Sequence, residues 1–427
     1  MGHRATERAT RLVAVRVLVI GSGAREHALC TALAADPSVE RLVCAPGNAG
    51  IAAVAQIEPV KPTDPYAVAA LARQVDAEFV VIGPEAPLMA GVADMVREEG
   101  IPVFGPDAAA ARIEGSKSFA KAVMSAARVP TAESRTCDDA AQVEAALNLF
   151  GAPYVVKADG LAAGKGVVVT DDRAVALAHA AECGRVVVEE YLDGPEVSLF
   201  VISDGTTAVP LLPAQDFKRI GDGDAGLNTG GMGAYTPLSW LPPGCVDEVM
   251  KEVVHPTLKD LVSRGTPFVG VLYVGLAITS RGPRVIEFNA RFGDPETQVV
   301  LARLETPLAA VLLASAVGTL GSLPPLRWSD DAAVTVVLAS AGYPGTPRTG
   351  DVITGADQPG VVHAATARNN AGELVTSGGR VLSVTATGAD LAEARRAAYA
   401  KVAAISFDGA QFRTDIAAKA EADEIKV

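Results

Sequence analysis

The stretch 154-YVVKADGLAAGKGVVV-169 decides the fold more than any other part of the chain. A β-branched run ends in Lys157, a glycine-rich loop follows, and a second β-branched run returns, so we expect a hairpin. Its glycines allow close backbone approach, and its lysines supply point charges for phosphate oxygens. It is not a Walker A loop, since only three residues separate Gly160 from Gly164. A plain tight turn remains an equal alternative on this evidence alone.

The bulk composition predicts a globular protein of about three domains. The chain has 427 residues, of which 49% are hydrophobic and 20% charged, and its net charge is −13. An acidic surface argues against a nucleic-acid partner, and anionic substrates then need local clusters of positive charge. The lysine hairpin is one such cluster.

Cysteine and histidine spacing indicates neither a disulfide framework nor a zinc site. The five cysteines, at positions 30, 44, 137, 183 and 245, show no CxxC pair, and the five histidines form no ligand pattern. We therefore expect free thiols and a cytoplasmic protein. The uncharged segment 306–326 contains prolines and glycines, which predicts a buried helix and a turn, not a membrane span. The Arg-rich residues 1–12 lack the apolar core of a secretory signal and are expected to be a frayed tail.

Short apolar runs alternate with helical patterns in the first third of the chain. The predicted strands are Arg16–Ile20, Leu42–Cys44, Phe79–Ile82 and Pro102–Phe104. This alternation predicts a parallel sheet with helices on its faces, and ligands bind such sheets at the carboxyl ends of the strands. Because the strands end in Gly/Pro/Asn/Glu loops, we expect a site there.

The rest of the chain predicts further α/β and α+β units. A helix over 116–127 should stop before Pro130, because the residue before proline disfavours helix. A helix near 172–183 and a strand over 185–190 follow, and strands near 332–340, 361–365 and 380–386 precede an Ala-rich helix from Leu391.

The first turn, 21-GSGAREH-27, begins like a dinucleotide-binding fingerprint but departs from it. Glu26 stands at the third glycine position, and Ala45-Pro46 stands where an acid should hold a ribose, so both positions argue against a nicotinamide cofactor. The amides at the helix start can still bind one phosphate group. A tight turn without a ligand is the alternative.

The segment 185-RVVVEEYLDGPE-196 is a buried strand that runs into a polar hinge. Exposed backbone groups at such a hinge can pair with the edge of adenine, and Glu196 can accept hydrogen bonds from ribose hydroxyls. Taken alone, an ordinary strand end with solvated acids explains the pattern better.

The segment 285-VIEFNARFGDPE-296 carries the sharpest signal. Alternate residues of a strand share a face, so Glu287, Asn289 and Arg291 should point together while Ile286, Phe288 and Ala290 enter the core. Carboxylate and amide oxygens suit Mg²⁺, and a neighbouring arginine can hold a transferring phosphoryl group. An edge strand with a salt bridge is the alternative. The loops 215–219 and 228–233 are polar or glycine-dense and could crowd backbone amides around an anion.

Nine motifs occur in one order over about residues 15–385, and together they resemble the ATP-grasp superfamily and, within it, the glycinamide ribonucleotide synthetases. They are VLVIGSGAREHA, APGNAG, VIGPEAPL, EGSKSFAK, VKADGLAAGKGVVV, AQDFKR, NTGGMGAY, EFNARFGDPETQ and SGGRVL. The resemblance implies an N-terminal parallel-sheet pre-ATP-grasp domain over 14–114 and a two-lobed ATP-grasp core over 115–326. The small lobe covers about 132–194, and a C-terminal α+β domain covers 327–427.

The resemblance also implies a ligase reaction that forms a C–N bond. ATP, glycine and 5-phosphoribosylamine would give ADP, phosphate and glycinamide ribonucleotide through a glycyl-phosphate intermediate. The implied cofactor is Mg²⁺ or Mn²⁺, and the implied partners are small molecules, with a transient contact to the preceding pathway enzyme as a further expectation.

The site residues that the resemblance implies fall into four groups. The nucleotide would contact Lys117, Lys157, Gly164, Lys165, Gly166, Glu189, Glu190, Tyr191, Leu192 and Glu196. Glycine and phosphoribosylamine would contact Gly21, Gly23, Arg25, Asn48, Gly50, Glu85, Asp216, Asn228, Gly230, Gly231, Arg291 and Asp294. Glu287 and Asn289 would bind the metal ion, and the catalytic residues would be Lys157, Asp216 and Arg291.

Two features depart from the superfamily pattern. The connection Ala180–Gly184 is short, and the strand 272–278 carries no second metal-binding acid. Three alternatives stay open: another carboxylate–amine ligase such as a biotin carboxylase-type enzyme, a regulatory module that binds ATP without turnover, and, least favoured, a nicotinamide oxidoreductase.

Overall fold

The structure, a computed structural model, describes residues 14–161 and 166–427. The expected N-terminal tail and the predicted nucleotide contacts Gly164 and Lys165 lie outside those ranges. All five cysteines are free thiols. No helix in the described ranges is long and apolar enough to cross a membrane.

The N-terminal region is a parallel sheet flanked by helices, as predicted. Its strands stand in the order β3-β2-β1-β4-β5, and β1 pairs with β2 on one side and β4 on the other. The strands are β1 (Val15–Gly21), β2 (Val39–Pro46), β3 (Gln56–Ile57), β4 (Phe79–Ile82) and β5 (Val103–Phe104). The helices are α1 (Ala24–Ala34), α2 (Pro65–Gln74), α3 (Glu85–Met89), α4 (Val92–Glu98) and α5 (Ala108–Gly115). The four predicted strands are confirmed as β1, β2, β4 and β5. Their apolar runs are buried between the helices, as expected for a parallel sheet.

A linking helix and a small lobe follow. The helix α6 (Lys117–Ala127) is capped by the Ser116 side chain, which accepts from the Phe119 amide, and it ends before Pro130 as predicted. The small lobe is an antiparallel sheet in the order β6-β9-β7-β8 with two helices. Its elements are β6 (Ser134–Cys137), α7 (Ala140–Phe150), β7 (Tyr154–Ala158), β8 (Val167–Thr170), α8 (Arg173–Cys183) and β9 (Val186–Glu189). The predicted hairpin is β7–β8, and it packs on its own apolar core.

The large lobe is built on two long antiparallel strands, β10 (Glu196–Asp204) and β16 (Val269–Thr279). The sheet order is β11-β10-β16-β17, and β13 and β14 form a separate hairpin. The other elements are β11 (Ala208–Pro210), β12 (Gln215–Asp216), β13 (Arg219–Gly221), β14 (Ala225–Asn228), β15 (Gly233–Thr236), α9 (Cys245–Val249), α10 (His255–Ser263), β17 (Gly282–Asn289), α11 (Glu296–Arg303) and α12 (Leu308–Ala316). Helix α12 is the buried helix predicted within 306–326.

The C-terminal region shares a sheet with the large lobe. The order β12-β15-β18-β22-β19 joins two strands from before residue 237 to three from after residue 331. The C-terminal elements are β18 (Ala332–Ala339), β19 (Val361–His363), β20 (Thr366–Arg368), β21 (Leu374–Thr376), β22 (Arg380–Gly388), α13 (Leu391–Val402) and α14 (Ala418–Glu421). The C-terminal region is therefore tied to the core through backbone hydrogen bonds as well as side-chain packing.

Candidate active site

A cavity of about 1270 Å³ lies where the N-terminal sheet, the two lobes and the C-terminal region meet. Most of the predicted site residues line it, although they come from distant parts of the chain. They are Arg25, Glu85, Lys117, Lys157, Gly166, Glu189, Glu190, Tyr191, Leu192, Glu196, Asp216, Asn228, Gly230, Glu287, Asn289, Arg291 and Asp294.

Lys157 joins the small lobe to the large lobe inside this cavity. Its ammonium lies 2.8 Å from Glu189 Oε2 and donates to the Ile286 carbonyl at 3.0 Å. Lys121 Nζ lies 3.1 Å from the other oxygen of Glu189. The Glu189 carboxylate is thus held between two lysines. Lys121 is absent from the predicted set, although it follows Lys117 by one helical turn and so lies on the same face of α6.

A β-bulge at Ile286 explains why its carbonyl is available to Lys157. Gly275 pairs with Glu287 and Leu276 pairs with Val285, which leaves Ile286 as the extra residue on β17. The prediction that Ile286 enters the core is therefore wrong, since its side chain is half-buried and lines the cavity. Phe288 and Ala290 are buried, as predicted.

Glu287 and Asn289 form a pair of oxygen donors at the end of β17. Among the described residues, neither side chain takes part in a hydrogen bond or ion pair. Burial would raise the pKa of Glu287, but the charges of Lys218 and Lys117, with smaller contributions from Lys157 and Arg291, outweigh it and hold the pKa below its usual value. An ionised carboxylate beside an amide, both without protein partners, fits a hard divalent cation.

Arg291 lies just beyond β17 and bridges to the N-terminal region. Its guanidinium is 3.0 Å from Glu114 and 3.4 Å from Glu85. Glu114 also accepts from the Ala290 amide at 2.8 Å, so it fixes the backbone beside Arg291. Burial would lower the pKa of Arg291, but the two carboxylates raise it. Glu114 was not predicted, although it opens the EGSKSFAK motif, because nothing local indicates a partner 177 residues further along the chain.

The segment 215–219 brings a carboxylate and a lysine to the opposite wall. Lys218 Nζ lies 2.6 Å from Glu196 Oε2 and 3.9 Å from Asp216 Oδ1. Burial raises the pKa of Asp216 to about 7 even though Lys218 opposes the rise, and the neighbouring Glu296 adds to it. Asp216 is therefore a buried group that can take or release a proton near neutral pH. Lys218 was not among the predicted site residues.

The C-terminal region supports the glycine-rich loop 228–233. Arg380 Nη1 donates to the Gly230 carbonyl at 2.7 Å and to the Asp294 carbonyl at 2.6 Å. Gly231 has φ +111°, and a Cβ there would lie 2.5 Å from Pro295, so a glycine is required. Arg380 lies in the SGGRVL motif and was not singled out from the sequence.

Five predicted substrate contacts do not line the cavity in the described part of the chain: Gly21, Gly23, Asn48, Gly50 and Gly231. Glu26 accepts from the Gly23 amide at 2.6 Å, so a protein carboxylate takes one of the amides predicted to bind phosphate. Asn48 donates to the carbonyls of Ser22 and His363, each at 2.8 Å. The N-terminal loops are thus held against the C-terminal region, and their contact with substrate stays a prediction.

Comparison with known proteins agrees with this arrangement. Models of the phosphoribosylglycinamide synthetase family match the chain three times: the N domain at residues 15–114, the ATP-grasp (A) domain at 115–297 and the C domain at 333–419. A phosphoribosylamine–glycine ligase of Streptomyces coelicolor is 66% identical over 414 residues, which cover 95% of this chain and 99% of that protein.

Solved structures show the same fold. The crystal structure of a phosphoribosylamine–glycine ligase from Thermotoga maritima has a TM-score of 0.83 and 33% identity, and covers 94% of this chain and 100% of its own. The biotin carboxylase domain of a Hydrogenobacter thermophilus 2-oxoglutarate carboxylase, solved with MgADP and bicarbonate, has a TM-score of 0.71 but 17% identity. It covers 93% of this chain and 92% of that one, and shows likeness of fold alone. The chain therefore belongs to the phosphoribosylglycinamide synthetase family, the glycinamide ribonucleotide synthetases that its motifs resemble.

Proposed function

We propose that this chain ligates glycine to 5-phosphoribosylamine, with conversion of ATP to ADP and phosphate. It is an ATP-grasp ligase that forms a C–N bond, and membership of the family supports this step of purine biosynthesis. The single observation that carries the proposal is the contact of Lys157 with the Ile286 carbonyl. It brings the phosphate-binding hairpin of one lobe to the residue next to Glu287 on the other.

The nucleotide occupies the side of the cavity formed by the small lobe. Lys117 and Lys157 neutralise its phosphate oxygens, and Gly166 lets the hairpin backbone approach them. The strand end at Glu189 and the hinge that follows hold adenine through backbone groups, and Glu196 receives the ribose hydroxyls. A Mg²⁺ or Mn²⁺ ion held by Glu287 and Asn289 supplies further neutralisation of phosphate charge when it is bound.

Chemistry in this cavity needs no nucleophilic side chain. A carboxylate oxygen of glycine attacks the γ-phosphorus of ATP, the bond to ADP breaks, and glycyl phosphate forms. The amine of phosphoribosylamine then attacks the glycyl carbonyl, loses a proton, and phosphate leaves. Arg291 stabilises the charge on the transferring group, and Asp216 takes the amine proton. The acyl phosphate has to be kept from water in this cavity until the amine attacks it.

Isotope transfer provides the sharpest test. If glycine carries ¹⁸O in its carboxylate, the attacking oxygen remains with the phosphorus, so one ¹⁸O atom appears in inorganic phosphate for each turnover. The product amide keeps the other. Phosphate free of ¹⁸O, or ADP release that needs no glycine, would rule out the proposed reaction. ADP release that depends on bicarbonate instead of glycine would support the biotin carboxylase-type alternative.

We also propose the domain boundaries, the location in the cell and one protein partner. The N-terminal domain covers 14–114, the ATP-grasp core 115–326 with its small lobe at about 132–194, and the C-terminal domain 327–427. The five free thiols favour the cytoplasm as the location. Phosphoribosylamine is handed over through a transient contact with the preceding pathway enzyme, which co-sedimentation of the two enzymes with and without substrate would test.

A further inference from the structure

The wall of the cavity opposite the small lobe depends on one aromatic side chain. Phe217 stands between Asp216 and Lys218, two ionisable groups of this wall. Backbone hydrogen bonds from Phe217 to Gly233 and from Met232 to Phe217 tie it to the glycine-rich loop. Its ring lies 6.1 Å from the ring of Tyr235. The position of Phe217 therefore sets where Asp216 and Lys218 stand.

Arg413 reaches this aromatic residue from the C-terminal region. Among the described residues, Arg413 has the largest of the fully buried side chains, with 1% of it exposed. Its guanidinium lies 4.8 Å from the centre of the Phe217 ring. This distance is within the range of cation–π attraction, which is stronger for a desolvated cation. Arg413 Nη1 also donates to the Arg219 carbonyl at 3.3 Å.

Two aspartates orient the guanidinium. Asp415 accepts from Nε at 2.7 Å and from Nη2 at 2.6 Å, which is a bidentate pair, and Asp224 accepts from Nη1 at 2.8 Å. The same segment binds the tip of the β13–β14 hairpin, since the Thr414 amide donates to Asp222 and the Gly223 amide donates to Asp415, each at 2.8 Å. The hairpin residues Arg219, Asp224 and Asn228 line the cavity. Segment 413–415 of the C-terminal region is thus hydrogen-bonded to a hairpin that forms part of the cavity wall.

We propose that Arg413 is a positioning residue for the ligase reaction, which acts through Phe217 to hold Asp216 and Lys218 at the substrate. This inference rests on the proposed function. It assigns the C-terminal region an indirect part in turnover, separate from its pairing with the core sheet.

A double-mutant cycle tests whether Arg413 acts through Phe217. We expect Arg413→Met and Phe217→Leu each to lower kcat about tenfold. The double variant should also be about tenfold slower than the native protein, not a hundredfold, because both changes release the same segment. The apparent pKa in the pH dependence of kcat should shift in both single variants, because Asp216 moves relative to Lys218.

Arg348→Met is the matched control, since Arg348 also pairs with two aspartates of the C-terminal region, Asp351 at 2.9 Å and Asp408 at 2.7 Å, but contacts neither segment 413–415 nor segment 215–219 among the described residues. Its kcat should stay within twofold. Multiplicative losses in the double variant, or an unchanged pH profile, would overturn the inference.

Misfolding of a variant and failure of the proposed reaction give different results. If Arg413→Met shows no cooperative unfolding transition, Arg413→Lys replaces it in the cycle. This variant keeps the buried charge but loses the bidentate pair, and we expect about a threefold loss with the same lack of additivity; additive losses would again overturn the inference. Failure of the native protein to release ADP in response to glycine would instead contradict the proposed function itself.

Discussion

Lys157 contacts both lobes of the ATP-grasp core. Its ammonium contacts a carboxylate of its own lobe and a carbonyl of the other, with 5% of the side chain exposed. Removal of a buried cation with partners on both sides lowers the free energy of unfolding, because it leaves a buried carboxylate or carbonyl without its donor.

Replacement of Lys157 by alanine should remove turnover and spare the fold. We expect kcat to fall about a hundredfold to a thousandfold, the range seen when a preorganised charge-stabilising donor is lost. Glu189 keeps Lys121 as a partner at 3.1 Å, so the protein should still fold, but the Ile286 carbonyl loses its donor and the melting temperature should fall measurably. Steady-state ADP release and thermal unfolding give the two measurements, with Lys259→Ala as the control. Near-native kinetics would remove the hairpin lysine from the mechanism.

Glu287 should bind a divalent cation independently of catalysis. Its carboxylate is ionised and has no partner among the described residues, so Glu287→Gln removes charge without breaking a protein contact. We expect at least a tenfold weaker affinity for Mn²⁺ in the presence of ADP, measured by electron paramagnetic resonance of the free ion. Glu252→Gln, on the exposed face of the large lobe, should bind as the native protein does. Equal affinities would show that the metal ion is held elsewhere.

Most of the site residues predicted from the sequence line the cavity, but the partners of these residues were not predicted. Glu287 and Asn289 follow from strand alternation, and the resemblance supplied Arg291 and Lys157. Glu114 and Lys218 were missed, because each works through a residue that only tertiary folding brings near. Charge pairing across such distances leaves no periodic signal in the chain.

At the scale of elements, local pattern predicted the strands and helices well where burial reinforced it. The strands β1, β4 and β18 are fully or almost fully buried. Their runs of β-branched residues indicate a buried strand from the sequence alone. The bulge in β17 was not predictable in the same way. A bulge depends on the register of two strands, and alternation along one strand cannot reveal it.

The contact of α1 with β19 should make stability depend on pH. The His363 amide donates to His27 Nδ1 at 2.8 Å, which requires that nitrogen to be unprotonated. Burial, with a smaller effect from His363, lowers the pKa of His27 to about 4 from an ordinary value of 6.5. Between these values the unfolded chain binds more protons, so stability is complete above about pH 6.5 and falls as the pH decreases towards 4.

We expect the free energy of unfolding to lose roughly 3 kcal/mol through this histidine over that range. Urea unfolding at a series of pH values measures the loss. His27→Asn should flatten that part of the profile, while His255→Asn, at an exposed position, should leave the slope intact. A profile that is unchanged in His27→Asn would show that the acid sensitivity arises from other groups.

At the scale of the whole molecule, the shared sheet makes the C-terminal region part of the core. Each of the four residues of β15 pairs with a residue of β18, and both strands are buried. Removal of β18 would expose a buried strand edge, which is a template for aggregation.

A chain truncated after residue 326 should therefore fail to fold as an independent ATP-binding unit. We expect insoluble protein, or a soluble fraction without a cooperative unfolding transition, measured by circular dichroism. Co-expression with residues 327–427 as a separate chain should recover soluble complex. A well-folded truncated protein that binds ATP would show that the sheet contributes little to the core.

The extra residue in β17 has a consequence for how this protein can change over evolutionary time. Because Lys157 binds the main-chain oxygen at position 286, a valine or leucine there would preserve the contact. Loss of the position would leave Val285 and Glu287 opposite Leu276 and Gly275 in regular pairing, so Glu287 would keep its face, but Lys157 would lose its acceptor on the large lobe. The identity of this residue can therefore vary between lineages, but a single-codon deletion there would remove the contact through which Lys157 spans the two lobes.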